Sequence, residues 1–536
     1  MEFNNQNEER KVITAEEFLE LITENGILEG YQVDGTLLLD GSKFQTNITH
    51  FDFYNCDFHT IKLNNIDGDT QIAFSSCTIQ NIISGYSKEG NTVRPTSFKL
   101  SILQTDLKKI SCLNYPSVEF DFSDSTIGDL YVNNCYLTTF YSKDTLYKNK
   151  LLIRESSLDL LLLNNCIFEE SVIIREASVI TNLLSLEQCH FNGGFLFDLN
   201  EKTNCNLVIR IESCKTDHQL VFFGKNSSIK HFYTHRFKGS LEMYDLTIRT
   251  TEILSSYEKD ASYRFSSCLF NNFSSRGINS TFHLSTIKSF GDQSTFEIRS
   301  SDLNNASLFD VNLQSFDTVV IEKSDFTNMT TSRVTWFEDK KLKTAFQSEN
   351  EDPYERREFY RQLKYNQEKQ GNKIQALTFQ SLEMQYYSLE LSPKFLLPLR
   401  VWKNKIKTYI TDQFPIYISI QKGIALFQNR FVLWIGKLNN HGQSFLKPLL
   451  LLLGLGLIFN FLILQSASPQ STLELLFKKG SLKMLPSLLN PVHDISKLLH
   501  IEEPSFWTGF LDLIWKVIET TLIFQTITAF RKHVRV

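Results

Sequence analysis

Asp512, Lys516 and Glu519 stand at i, i+4 and i+7 inside a run, Phe506 to Phe530, that is otherwise largely apolar. On a helix that spacing gathers three ionisable groups onto one face. A charge at membrane depth is tolerated only where it faces protein or water or reaches the interface, so this face is either paired internally or lines an aqueous path. Glu519, with Thr521, Gln525 and Thr528 on another side of the helix, has the groups for an ion path if several chains assemble around an axis. In the alternative, Glu519 pairs with Lys516 or another buried group and the threonine hydroxyls bond back to the helix. Asn460 is the one strongly polar residue inside the preceding apolar run and joins the same set of intramembrane candidates. No TVGYG-like filter stands between the two runs, which argues against a potassium-channel mechanism.

Chemistry of other kinds is thin. The chain has no GxxxxGK[ST] phosphate loop, no HExxH, no EF-hand loop and no GxSxG elbow, so it reads as a non-enzyme with no catalytic residues and no cofactor. His231 and His235, at i and i+4, would suit a metal only on a helix, and with no third ligand evident no metal site is expected. All nine cysteines lie between Cys56 and Cys268, without a CxxC pair or a zinc-like Cys/His spacing. Most occupy a small inward position of a repeat, where a thiol acts as a small hydrophobe. The formal charge of −5 hides nine Lys or Arg against one acid, Asp412, between Lys394 and Lys447. The part before is correspondingly acidic and does not advertise a nucleic-acid surface, so no nucleic-acid partner is expected.

The elements that hold the polar face are two hydrophobic runs. Phe445 to Gln465 centres on Leu449-Leu450-Leu451-Leu452-Leu453-Gly454-Leu455-Gly456-Leu457-Ile458-Phe459. About twenty residues at ~1.5 Å rise cross a ~30 Å hydrocarbon layer, so 445–465 is predicted as a first transmembrane helix. The stretch 506–530 is a second, with an amphipathic helix lying on the surface as the alternative. Arg430, Lys437 and Lys447 flank the first span, and Arg531, Lys532 and Arg535 follow the second in a basic tail, 531–536. The positive-inside rule then puts both termini in the cytoplasm, 393–444 as a basic juxtamembrane linker and 466–505 as an extracytoplasmic loop. Met1 to Arg10 is polar and charged, so no cleavable signal peptide is expected. Before the linker, Pro353 opens a charged segment that stops at Gly371, and Asn372 caps another running to about Leu391, a helical hairpin over 350–392. Phe359 and Leu363 would meet Leu377 and Met384 across it.

Most of the remaining chain repeats every five residues. Phe120-Asp121-Phe122, Ser125-Thr126-Ile127, Leu130-Tyr131-Val132 and Cys135-Tyr136-Leu137 keep one register, as do Leu151-Leu152-Ile153, Ser156-Ser157-Leu158 and Leu161-Leu162-Leu163. Two inward residues flanking one outward residue form a short strand, and the next two residues turn the chain. Neither a helix nor a plain strand holds a five-residue period, whereas a stack of flat-sided coils does. Landmarks about twenty residues apart suit four sides, so 45–335 would make roughly fourteen coils in a rod on the order of 65 Å long, behind an N-terminal capping region at 1–44. The register slips between about 200 and 260, and Ser87 to Pro95 reads as an inserted loop.

Ser301-Asp302-Leu303-Asn304-Asn305, Ala306-Ser307-Leu308-Phe309-Asp310 and Val311-Asn312-Leu313-Gln314-Ser315 resemble the pentapeptide-repeat family. The resemblance implies a β-solenoid of the right-handed parallel, quadrilateral β-helix type. Tyr360-Arg361-Gln362-Leu363-Lys364, Glu368-Lys369-Gln370-Gly371-Asn372, Asn439-Asn440-His441-Gly442-Gln443-Ser444, Leu489-Asn490-Pro491-Val492-His493 and Phe524-Gln525-Thr526-Ile527-Thr528-Ala529-Phe530-Arg531 are similar to the C-terminal module of bacterial pentapeptide-repeat membrane proteins, some of them described as ion-channel-like. Together these lead to a multi-pass protein of the bacterial inner membrane whose cytoplasmic β-helix is a scaffold for an unknown protein partner. The second reading is an oligomeric ion-channel-like or membrane-perturbing effector gated through the β-helix.

Overall fold

The computed structural model describes residues 10–41, 49–66, 70–86, 98–177, 180–199, 206–255, 260–344, 352–405, 428–429, 432–438, 444–467, 487–499 and 505–534. The chain divides into two units, Met1–Ser348 and Glu349–Val536.

The first unit is a parallel β-solenoid of about 13 turns. Its register is legible in single columns: Leu130 pairs with Leu151, Leu151 with Val172, and Val172 with Phe195, each time in parallel. Along the chain, Phe122, Ser125, Ile127, Leu130, Val132, Cys135, Leu137, Phe140, Ser142, Thr145 and Tyr147 are all buried. Steps of three and two alternate between them, which sums to the five-residue period. A strand needs inward residues two apart, and each three-residue step is a corner where the backbone bends to keep its apolar side inward. Every second corner turns through left-handed backbone, at Asp124 (φ 49°), Asn134 (φ 53°), Asp144 (φ 51°), Glu155 (φ 49°) and Asn165 (φ 51°). Asn and Asp reach that region more cheaply than other side-chain-bearing residues, which explains their recurrence. The corner amides are satisfied between coils: Asp124 N–H donates to the Lys143 carbonyl at 3.0 Å and Asn134 N–H to that of Arg154 at 3.1 Å.

Two kinds of column fill the interior. Aromatic rings stack, with Tyr147 and Phe168 centroids 4.6 Å apart and Phe168 and Phe191 4.9 Å apart, both nearly parallel. At one corner the small inward residues form a polar column: Cys56 N–H donates to Cys77 Sγ (3.4 Å), Cys77 N–H to Thr105 Oγ1 (3.3 Å) and Thr105 N–H to Ser125 Oγ (3.1 Å). The eight described cysteines are buried free thiols. They do more than fill space, because Cys77 and Cys135 each accept a backbone bond from the preceding coil that a methyl group would leave unmade.

The solenoid extends beyond 45–335 at both ends. Lys11–Thr14 already pairs with Tyr31–Asp40, and Leu342–Lys343 still pairs with Thr318–Glu322. The predicted capping region therefore contains the first coil and, within it, a helix at Ala15–Asn25. Thr14 Oγ1 accepts from Glu17 N–H and Glu17 returns a bond to Thr14 N–H, a capping box that fixes the start. Phe18 and Ile22 are fully buried, and the Phe18 ring lies 5.7 Å from Phe53 and 5.5 Å from Phe58. Where the five-residue register slips, the strands are long, Lys215–His235 and Lys238–Leu254, and their pairing shifts at Lys215/Gln219 and Phe223/Ser227. Ser87 to Pro95 lies outside the described residues.

In the second unit, Pro353–Lys369 and Lys373–Lys405 form the predicted hairpin. Asp352 accepts from Tyr354 N–H at 3.0 Å at its start, and Gly371 turns at φ 79°. Leu363, Phe359 and Tyr360 meet Ala376 and Phe379, with Lys364 bonded to Glu383 at 2.8 Å. Leu377 and Met384 are only half-buried, one position off the contact face. The second helix does not stop at Leu391 but continues through Pro393 to Lys405. A proline removes one helical hydrogen bond without forcing a stop when its neighbours are good helix formers.

Leu446–Ala467 and Phe506–Val534 are both helical. Their apolar stretches, Leu446–Ala467 (22 residues, mean hydropathy 2.2) and Phe506–Arg531 (26 residues, 1.3), are long and apolar enough to cross a membrane. They pack antiparallel: Phe445 meets Phe530 (5.8 Å), Phe459 meets Trp515 (5.2 Å), and Ser466 Oγ bonds Thr508 Oγ1 (2.9 Å).

Candidate functional site

The polar groups of the second apolar helix converge on the seam between the two helices. Thr508, Asp512, Trp515, Glu519 and Leu522 are buried, at steps of four, three, four and three, so they form one stripe of the helix. Pro448, Leu452, Gly456, Asn460 and Ile463 form the facing stripe. The opposite sides carry exposed Leu450, Leu453, Leu457, Leu513, Val517 and Phe524. The outside of the pair is apolar, and its seam combines an apolar cluster with buried Asn460, Asp512 and Glu519.

A third element completes the site. Residues 487–499, part of the predicted loop, fold back into the seam and end in a short helix, Ile495–Leu499. Leu488 and Ile495 join the same apolar cluster as Leu452, Ile463, Trp515 and Leu522. Trp515 Nε1 donates to the Leu488 carbonyl at 3.0 Å, and the space beside Gly456 is filled by Leu489 and the Trp515 ring. A side chain at 456 would press on Leu489 Cδ2, at 3.3 Å from where its Cβ would lie. His493 is held by both ring nitrogens: Nδ1 donates to the Asn490 carbonyl (2.6 Å) and Nε2 lies 2.7 Å from Asp512 Oδ1. The other oxygen of Asp512 receives Lys516 Nζ at 2.9 Å.

Lys516 therefore belongs to Asp512 and does not pair with Glu519, which corrects the pairing alternative. The side chain points back one turn to i−4, where His493 fixes its partner in place. Glu519 is fully buried, and neither carboxyl oxygen has a hydrogen-bond partner among the described residues. Thr521 bonds back to the Val517 carbonyl at 2.8 Å, as a helix hydroxyl is expected to do. Gln525 and Thr528 are half-buried and Asn460 is buried.

Among the basic flanks, Lys437, Lys447 and Arg531 are exposed, and Lys532 continues the second helix. Arg430 and Arg535 lie outside the described residues, as does most of the linker. His231 and His235 occur on a strand, where four residues separate side chains by about 13 Å. They face different carboxylates, Glu252 at 3.6 Å and Glu212 at 3.9 Å, and do not converge. Among the described residues no group of three His, Cys, Asp or Glu could hold a metal.

The functional residue that sequence reasoning missed is His493. Its signal was the Asn490-Pro491 turn beside Leu488-Leu489, a polar kink next to residues apolar enough to enter a core. The chain matches no protein-family model, no curated protein and no solved structure.

Proposed function

We propose that the protein is a membrane-anchored, non-enzymatic scaffold, with the two apolar helices as the anchor and the β-solenoid as a cytoplasmic surface for protein contacts. The observation that carries this reading is that Asp512, Glu519 and Asn460 are buried in the seam while leucines and phenylalanines are exposed on the outside. The basic residues around 437–447 and 531–535 favour an inner-membrane orientation with both termini in the cytoplasm. On the solenoid, outward residues of successive coils stand in rows, such as Arg210, Tyr233 and Glu252. Rungs about 4.8 Å apart give a partner a regular lattice of polar groups to read. A solenoid of the pentapeptide-repeat kind is supported by the alternation of two- and three-residue inward steps.

The pore reading draws on Thr521, Gln525 and Thr528. It is the weaker of the two, because Glu519 turns into its own hairpin and Thr521 already spends its hydroxyl on the helix. Alkaline carbonate extraction of membranes tests the anchor. The protein is expected to stay with the lipid, and its release into the supernatant defeats the proposal. Steady currents from purified protein in planar bilayers would replace the scaffold by the pore.

A further inference from the structure

Glu519 is a buried group of the seam whose two carboxyl oxygens accept no hydrogen bond among the described residues. The Lys516 ammonium and the His493 ring beside it are both directed at Asp512, at 2.9 and 2.7 Å. No other donor among the described residues reaches either Glu519 oxygen, and the side chain is fully buried. It stands near the middle of its helix, thirteen residues or about 20 Å from Phe506, and about one turn beyond Trp515, which packs on Gly456. A bare carboxylate in such surroundings costs several kcal/mol, far more than the helix gains by placing it there. Glutamate in place of leucine is a loss to stability unless something enters to neutralise it.

We propose that Glu519 is a binding site for a single monovalent cation, a proton or a dehydrated alkali-metal ion, carried within one hairpin. A divalent ion is disfavoured, because it asks for several charged ligands and no such group is assembled among the described residues. His493, Asp512 and Lys516 face the site from the inserted segment and from the helix itself. The Asp512 triad, one to two turns away, keeps Lys516 and the His493 ring occupied and so leaves Glu519 free to exchange its ion. The site rests on the hairpin lying in lipid, but it needs no ring of subunits.

The test is carbodiimide labelling of the full-length protein in detergent, with peptide mapping by mass spectrometry. Dicyclohexylcarbodiimide is apolar and reacts with protonated carboxyl groups. Glu519 is expected to be modified in choline chloride, and Glu519→Gln to lose that label while keeping the Trp515 fluorescence of the packed seam. Loss of labelling in sodium or potassium chloride at the same pH and ionic strength identifies an alkali ion. Loss only on raising the pH identifies a proton. Infrared difference spectra of wild type against Glu519→Gln provide the second reading, independent of reagent access. A carboxylic-acid band that disappears with pH, or a carboxylate band that moves between sodium and potassium, supports the site. A Glu519 carboxylate band indifferent to pH and to cation, with no labelling, overturns it. Carbonate extraction reports separately on the anchor, so failure of the membrane reading is not confused with failure of the site.

Discussion

Removing the Asp512 carboxylate should release the inserted segment. Asp512 accepts from His493 on one oxygen and from Lys516 on the other, which ties the segment 487–499 to the second apolar helix. Truncating one partner of a buried ion pair costs roughly 3–5 kcal/mol, most of it from the charge left behind. Here the lower end applies, because the Lys516 side chain is 29% exposed and its ammonium can swing toward the interface. About 3 kcal/mol is about two powers of ten in the opening equilibrium. Amide hydrogen exchange within 487–499 of Asp512→Ala should accelerate by roughly a hundredfold, while amides in the middle of Leu446–Ala467 keep their protection. Asp512→Asn retains an acceptor for His493 and should fall between. If exchange in 487–499 changes less than about threefold, the Leu488 and Ile495 contacts hold the segment unaided and the role given to the triad is wrong.

In the solenoid, Phe168→Ala removes a fully buried ring stacked on Tyr147 and Phe191 and should lower stability by about 4 kcal/mol in a denaturant titration followed by far-UV circular dichroism. Gly128→Ala puts a Cβ 2.1 Å from the Lys108 carbonyl oxygen and should cost about 2 kcal/mol or more, whereas Gly85→Ala, with nothing within 4 Å, serves as the near-neutral comparison in the same titration. Burial pushes the Cys268 thiol from its ordinary value near 9 up to about 12. The folded state then holds a proton that the unfolded state gives up, so stability is intact below about pH 9 and falls as pH rises toward 12, by on the order of 4 kcal/mol over the full window. Denaturant midpoints should drop between pH 8 and alkaline pH, and Cys268→Ala should flatten that slope.

The body of the solenoid was legible because its signal is repeated. Phe120-Asp121-Phe122 and Cys135-Tyr136-Leu137 each carry little information, but a shared register across many coils fixes the period, and Asn134 and Asn165 mark where it turns. Its ends were not legible, since Lys11–Thr14 and Leu342–Lys343 are short strands that mean nothing until a neighbouring coil pairs with them. The same distinction divides the hairpin. That Asp512, Lys516 and Glu519 share a face follows from helical geometry alone. Which of them pair does not, because the deciding partner, His493, comes from a segment nineteen residues earlier that had to fold back first. The end of the second hairpin helix, expected near Leu391, was not legible either, because the helix passes through Pro393.

The helix at Ala15–Asn25 has a consequence for how these molecules behave in a crowd. A coil's upper rim is a row of unspent amides and carbonyls, competent to take another strand from anywhere, including the tail of a sibling molecule. Phe18 and Ile22 sit over that rim like a stopper in a tube. Losing the eleven residues of Ala15–Asn25 would uncover the Phe53 and Phe58 rings and leave the rim open to water.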